Sequence, residues 1–249
     1  MSPHKAPLRA DLHAGLQLQQ ASGYGFARDL LLAPIVLDEL AEAAREYAIV
    51  FPRGAALPCV LLGVQEGCNA YVAPDGRWLA RYIPAHLRHQ PFALGPAAPG
   101  GQPTVLADLD SPLLGTASGQ PLFGDRGQPA QVLQAAIELM LALQARHAVT
   151  QALVQAMDQA GVLVDRTVEI RHADGDIQRI GGLRVVDEAA LNALDAPAFD
   201  SLRRAGALPL VYAQLLSFAH LRLGPIGQAH PLPGTAGLHD LPADAPWLP

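Results

Sequence analysis

The sequence contains very few cysteines. Only two of its 249 residues are cysteines, Cys59 and Cys68, and a chain of this length can bury a large core without disulfide bonds. We therefore expect both thiols to be reduced, as they are in the cytoplasm. Their wide separation and the lack of further cysteines are also unlike a structural zinc site.

Clustered positive charge and long hydrophobic runs are also missing. The 17 Lys and Arg residues are scattered, and the net charge is −6. This excludes a basic surface for nucleic acid. No apolar run is long enough to span a bilayer, so we expect no membrane insertion. Because the N-terminus also has no signal-peptide pattern, we expect a cytoplasmic protein.

Apolar residues are abundant and make up 50% of the chain. They suffice for one large core, so we predict a single domain over residues 1–224. Residues 225–249 contain six of the 22 prolines and no hydrophobic periodicity, which predicts an extended tail.

Two segments favour antiparallel β-structure. Within residues 45–78, three short β-prone runs are separated by turn-forming residues, which predicts a meander. A second pair of runs, 167–171 and 177–186, flanks the polar turn Asp174-Gly175-Asp176 and predicts a hairpin. Residues 91–129 are interrupted so often by Pro and Gly that we expect mostly ordered loop there, with one β-prone run at 104–107.

Residues 130–160 contain neither Gly nor Pro, which predicts one long helix, or two with a kink, ended by Gly161. Asp187 is placed as an N-cap. Shorter helices are predicted at Leu37–Arg45, Ala198–Ala205 and Leu208–Leu223. The expected fold class is α+β, with an antiparallel β meander and hairpins packed against a helical half that contains one long helix.

Several stretches of the chain resemble the SapC family. They include residues 46–51, 62–72, 75–78, 186–194 and 212–217. The most distinctive is residues 82–92, Tyr-Ile-Pro-Ala-His-Leu-Arg-His-Gln-Pro-Phe, which is similar to a family motif Tyr-Ile-Pro-Ala-Tyr, a variable residue, then Arg-Arg-Tyr-Pro-Phe. The resemblance spans about residues 10 to 223.

This resemblance implies a cytoplasmic accessory protein. The family takes its name from an S-layer gene cluster, and no biochemical activity is established for it. His86, His89 and Gln90 occupy positions where the family usually has Tyr, Arg and Tyr, so a role of those family side chains does not transfer.

Two histidine groups are candidate metal ligands. His86 and His89 are three residues apart and would share one face of a helix, with Asp108 or Asp110 as a carboxylate ligand. Prolines on both sides limit such a helix to about two turns. We therefore favour partly exposed polar side chains over a metal site here.

The second group is His172-Ala173-Asp174, which has the spacing of iron(II) oxygenases, with His220 or His230 as the distal ligand. Asp174 also belongs to a strong hairpin-turn pattern, which favours a solvated hairpin tip. His13 is a further histidine that an iron or zinc site could recruit.

Tyr82, Arg88 and Phe92 form the one candidate binding site with a physical rationale. They lie in a proline-stiffened segment and combine aromatic surface with a guanidinium suited to carboxylates or peptides. The alternative is a rigid connector whose aromatics fill the core and whose Arg88 pairs with an internal carboxylate.

No pattern for a catalytic nucleophile or a phosphate-binding loop is present. The leading hypothesis is an accessory or binding protein that recognises a peptide or protein partner without a cofactor. The alternative is a metal-dependent iron(II) oxygenase acting on a peptide or small molecule.

Overall fold

The computed structural model describes residues 5–19, 23–65, 67–97, 103–171 and 177–229. Its strands are β1 (Lys5–Pro7), β2 (Gln17–Leu18), β3 (Leu32–Pro34), β4 (Ile49–Pro52), β5 (Cys59–Leu61), β6 (Phe92–Ala97), β7 (Pro103–Asp108), β8 (Leu114–Gly115), β9 (Gln120–Pro121), β10 (Leu163–Arg171) and β11 (Ile177–Val186). Its α-helices are α1 (Ala10–His13), α2 (Leu40–Ala43), α3 (Ala85–Arg88), α4 (Gln131–Gln159), α5 (Glu188–Asn192), α6 (Ala196–Ala205), α7 (Leu208–Ser217), α8 (His220–Leu223) and α9 (Pro225–Ala229). The predicted α+β class is confirmed.

Five antiparallel strands form the largest sheet, in the order β10-β11-β4-β5-β3. The central strands β4 and β5 are continuous apolar runs, and Ile49 pairs with Val60 between them. The predicted hairpin over 167–171 and 177–186 is confirmed as β10 and β11, while the residues of its turn lie outside the described part of the chain.

The third predicted strand of the meander does not form. Buried Asn69 accepts the N–H of Tyr71 at 2.8 Å and donates to the carbonyl of Ala27 at 2.9 Å. A local bond from Asn to the backbone competes with a sheet ladder for the same N–H group. What forms instead is a single bridge between Val72 and Trp78.

The β-prone run 104–107 forms as expected within β7, but residues 91–129 contain three further strands that were not predicted, β6, β8 and β9. Strands β6 and β7 pair there as a hairpin, with Phe92 opposite Ala107, and β1 adds to the other edge of β7. The ladder register shifts after Leu94, so Pro96 lies where no regular ladder bond is needed. Proline and glycine residues in this range therefore did not exclude strands, although they favoured loop in the sequence. The two-residue strands β8, β2 and β9 form a third sheet.

The long helix is continuous over 29 residues, so the one-helix alternative is correct. Gly161 ends it as predicted: its φ is +70°, and its N–H donates to the carbonyl of Asp158 at 3.0 Å. The predicted helix at Leu37–Arg45 is shorter, a 3₁₀ turn over Leu37–Glu39 followed by α2. Within the described residues, no helix has the length and apolar character needed to cross a membrane.

The C-terminal helices differ from the prediction in one place. Asp187 caps α5 as expected, accepting a first-turn N–H at 3.1 Å. The helix predicted over Leu208–Leu223 is divided into α7 and α8. The buried Ser217 hydroxyl donates at 2.7 Å to the carbonyl of Gln214, the acceptor that the N–H of Phe218 would use to continue the helix.

The predicted extended tail is wrong for its first five residues. Pro225–Ala229 form helix α9, and Ile226 is 3% exposed and belongs to the hydrophobic core around the five-stranded sheet. The remainder of the predicted tail lies outside the described residues.

Two hydrophobic cores meet along α4. The large core surrounds the five-stranded sheet and includes Leu153 and Met157 of α4. The small core consists of Phe92, Ala107, Leu122, Leu133 and Met140. Between the two ends of α4, residues 141–149 are mostly exposed. Helix α3 and the turn Leu37–Glu39 contact α4 and mark the junction of the two cores.

Candidate functional site

Residues 82–92, here called the connector, run from the large core to the small one. Buried Tyr47 donates a hydrogen bond to the carbonyl of Tyr82 and accepts one from the indole N–H of Trp78 at 2.8 Å. Glu46 accepts the N–H of the residue just before the connector at 2.6 Å. These bonds satisfy backbone groups where the connector begins, and so fix the direction in which it runs.

A buried carboxylate holds the connector from the other side. Glu39 is 6% exposed, and its Oε2 accepts the N–H of Val36 at 2.9 Å. Its Oε1 accepts the Tyr82 hydroxyl at 2.7 Å and the N–H of Ala85 at 2.8 Å. Three donors to one carboxylate offset much of the cost of burying the charge. Glu39 is therefore the central polar group of the junction.

Arg88 lies exposed at the end of α3, with its guanidinium carbon 5.7 Å from the centre of the Tyr82 ring. Burial, together with the bond to Glu39, raises the pKa of the Tyr82 hydroxyl, which therefore stays a protonated donor. Arg88 forms no ion pair with any carboxylate in the described part of the chain. Within the described residues, the structure thus shows no ion pair between Arg88 and an internal carboxylate.

Tyr82 and Arg88 line a groove of about 560 Å³, here called the connector groove. Helix α4 supplies apolar lining residues: Leu139, Ala142 and Leu143. Arg146 also lines the groove, and its charge is already paired with Asp38 at 2.9 Å. Buried Thr150 joins α4 to the opposite wall by accepting the N–H of Leu37 at 3.0 Å. The groove thus combines apolar side chains of α4 with polar ones that include Asp38 and buried Glu39. Arg88 is the cation in it that contacts the Tyr82 ring but no carboxylate of the described residues.

The structure places Phe92 elsewhere. Its side chain is 1% exposed and belongs to the small core, and it is not among the residues that line the connector groove. We therefore assign Phe92 to the core and keep Tyr82 and Arg88 as candidate contact residues.

His86 and His89 line a second space of about 240 Å³, here called the histidine recess, and Glu39 lines both spaces. The two rings are perpendicular with centroids 5.1 Å apart. His89 is buried rather than partly exposed, and its Nδ1 lies 2.9 Å from the carbonyl of Phe92. A carbonyl only accepts, so Nδ1 carries the proton.

Both imidazoles of the recess are neutral near pH 7. Burial lowers the pKa of His86 to about 4, and the positive charges of Lys5 and of protonated His89 act in the same direction. Burial also lowers the pKa of His89. Neutral rings donate and accept hydrogen bonds, and they lack the charge that would attract an anion.

The other metal candidates are not brought together. His13 accepts a backbone N–H within its own turn at 2.9 Å, and Nε2 of His220 lies 3.2 Å from a backbone carbonyl after α2. His172 and Asp174 lie outside the described residues. Among the residues that are described, no group of three or more His, Cys, Asp or Glu side chains is placed to hold a metal ion.

Asp108 and Asp110 belong to a turn rather than to a ligand pair. Asp108 accepts the N–H of Asp110 at 3.3 Å, and in the strand register it lies opposite Lys5.

Glu39 and Leu143 are the site residues that sequence reasoning missed. For Glu39 a signal existed, because a Glu whose side chain reaches back to the backbone N–H three residues earlier is typical of a helix start. For Leu143 there was none, since its place beside the connector depends on how α4 crosses the junction.

Comparison with known proteins identifies one family. The SapC family model matches residues 8–223. No curated protein matches the chain, and no solved structure does. The matched region contains the small core, the large core except Ile226, the connector and α4.

Proposed function

This chain belongs to the SapC family, and we propose that it is an accessory protein that binds a peptide segment of a protein partner in the connector groove. The observation that carries the proposal is Arg88, an exposed guanidinium with no carboxylate partner in the described chain, beside an apolar groove.

The groove's chemistry suits an acidic, partly apolar segment. The guanidinium fork of Arg88 matches a carboxylate, from a side chain or a chain terminus. Leu139 and Leu143 offer apolar surface for a neighbouring side chain of the partner. Because Glu39 and Tyr47 already hold the connector, little ordering cost remains to be met on binding.

The proposed binding requires neither metal nor cofactor. We place it in the cytoplasm, where buried Cys59 and exposed Cys68 would stay reduced thiols. The oxygenase alternative gains no support from the described residues, which offer no suitable group of ligands.

Photo-crosslinking tests where the partner binds. A photoreactive residue at Ala142, which is exposed and lines the groove, should capture a peptide segment in native cell extract. The same residue at Ala135, exposed on α4 outside the groove lining, is the matched control. Equal capture at both positions would argue against the groove.

Arg88→Ala then tests the cation. Binding of the captured segment, measured by fluorescence anisotropy, should weaken by roughly 1.5–3 kcal/mol, the range for a hydrogen bond to a charged group. Stability should fall by at most about 1 kcal/mol, since an exposed cation–π contact is worth little more. Arg81→Ala, exposed just outside the groove, should leave both unchanged.

The opposite result would show that the connector serves only architecture. In that case Arg88→Ala would destabilise the fold strongly in urea unfolding while the segment bound as before.

A further inference from the structure

The histidine recess takes no part in the binding proposed above, and two of its side chains carry ring nitrogens that no described residue hydrogen-bonds. His89 is 7% exposed, and its Nδ1–H is used by the carbonyl of Phe92. Its Nε2 carries a lone pair that no described residue meets. His86 contacts His89 edge to face, and neither of its ring nitrogens is hydrogen-bonded within the described chain.

Ring nitrogens that face an open space are paired by water or by a ligand, whereas a nitrogen sealed from both would lose roughly 1–3 kcal/mol. Both rings line a space open enough for a molecule to enter. The recess therefore presents one fixed acceptor, Nε2 of His89, and a donor and an acceptor from His86.

The remaining walls of the recess are mainly apolar. They include Pro34, Leu57, Leu94 and Met140, and α4 also contributes the exposed polar side chains of Gln144 and His147. The volume of about 240 Å³ exceeds that of a cavity that holds one benzene, about 150 Å³. One small ring compound fits this space, and a folded peptide does not.

Charge in and around the recess is balanced. Both imidazoles are neutral because of their burial. The charge of Lys5 reaches both rings, and Asp108, opposite Lys5 in the strand register, offsets it. Glu39 is engaged by its three donors. An uncharged ligand therefore has a smaller desolvation cost on entering the recess than a charged one.

We propose that the histidine recess binds a small uncharged ring compound that carries an O–H or N–H group, which donates to Nε2 of His89. His86 adds a second hydrogen bond, and Met140 and Leu94 contact the ring. The recess and the connector groove share Val36, Glu39 and Leu143 in their walls. The two histidines line only the recess and Arg88 lines only the groove, so the two proposals are tested on different side chains and either can fail without the other.

Phenol and anisole test the proposal on the full chain, because they share the ring and anisole lacks the donor. In protein labelled with ¹⁵N-histidine, phenol should shift the Nε2 resonance of His89 in the direction of an accepted hydrogen bond. Anisole should bind roughly fivefold to tenfold more weakly, the loss expected for one hydrogen bond.

His89→Asn is the matched variant. The Asn amide can replace Nδ1 as donor to the carbonyl of Phe92, and it has nothing at the place of Nε2. Its affinity for phenol should fall to that for anisole. His13→Asn, outside the recess, should bind phenol as the wild type does.

Three results would overturn the proposal. They are equal binding of phenol and anisole to the wild type, unchanged phenol binding by His89→Asn, and no phenol binding up to about 10 mM. The histidine spectra of the wild type decide the question even if the variant does not fold.

Discussion

The buried polar side chains of the large core and those at the junction of the two cores are used differently. In the large core, Gln214 accepts the N–H of Val186 at 3.0 Å and donates to the carbonyl of Ile49 at 3.3 Å. Ser217 accepts the N–H of Ile49 at 3.0 Å and donates within its own helix. These side chains join α7 to β4 and β11, and each of them both donates and accepts a hydrogen bond.

At the junction the bonding is less complete. Glu39 has three donors, whereas His86 and His89 keep nitrogens that no described residue uses. Complete pairing makes a buried polar group part of the architecture, and unmet capacity beside an open recess leaves it available to a ligand. The junction therefore has hydrogen-bonding capacity that a ligand could use.

Removing Glu39 should have the largest effect. Glu39→Ala leaves the N–H groups of Val36 and Ala85 and the hydroxyl of Tyr82 without an acceptor, at roughly 1–3 kcal/mol each. We expect a loss of about 4 kcal/mol in urea unfolding. Glu138→Ala, an exposed control on α4, should cost less than about 0.5 kcal/mol. A small loss for Glu39→Ala would mean that water reaches the junction freely.

Acid should weaken the junction through His86. Its pKa in the fold, about 4, lies below the ordinary value of 6.5, so the unfolded chain binds more protons between these pH values. The contribution of His86 to the free energy of unfolding is fully present above pH 6.5 and is lost as the pH falls to 4. At about 1.36 kcal/mol per pH unit, the loss reaches roughly 3 kcal/mol at most.

Comparison with His86→Phe isolates this effect from other groups, including Lys5 and His89 beside it. The variant should lose less stability than the wild type between pH 6.5 and pH 4 in parallel urea titrations. Identical pH profiles would show that His86 is solvated and that the recess is not a dry site.

Two truncations sharpen the boundary of the large core. Removing residues 225–249 takes away buried Ile226, whose burial contributes about 1.5–3 kcal/mol, and removing 230–249 does not. The longer deletion should therefore cost about 2 kcal/mol more in urea unfolding. If the two deletions cost the same, α9 adds nothing to the core.

Patterns that depend on neighbouring residues were predictable from the sequence. The absence of Gly and Pro over 130–160 predicted α4, and Asp187 predicted a cap, because both concern backbone bonds within a few residues. Strand β6 was missed because its Gly95 and Pro96 lie where the ladder is irregular.

For the site, the sequence by itself determined the stiff connector with Tyr82 and Arg88, since proline spacing and residue type are local properties. Only the tertiary structure decided that Phe92 is core, that Glu39 bonds to Tyr82, and that α4 forms a groove with the connector. Those facts join residues far apart in the chain, and only packing of the two cores against one helix brings them together.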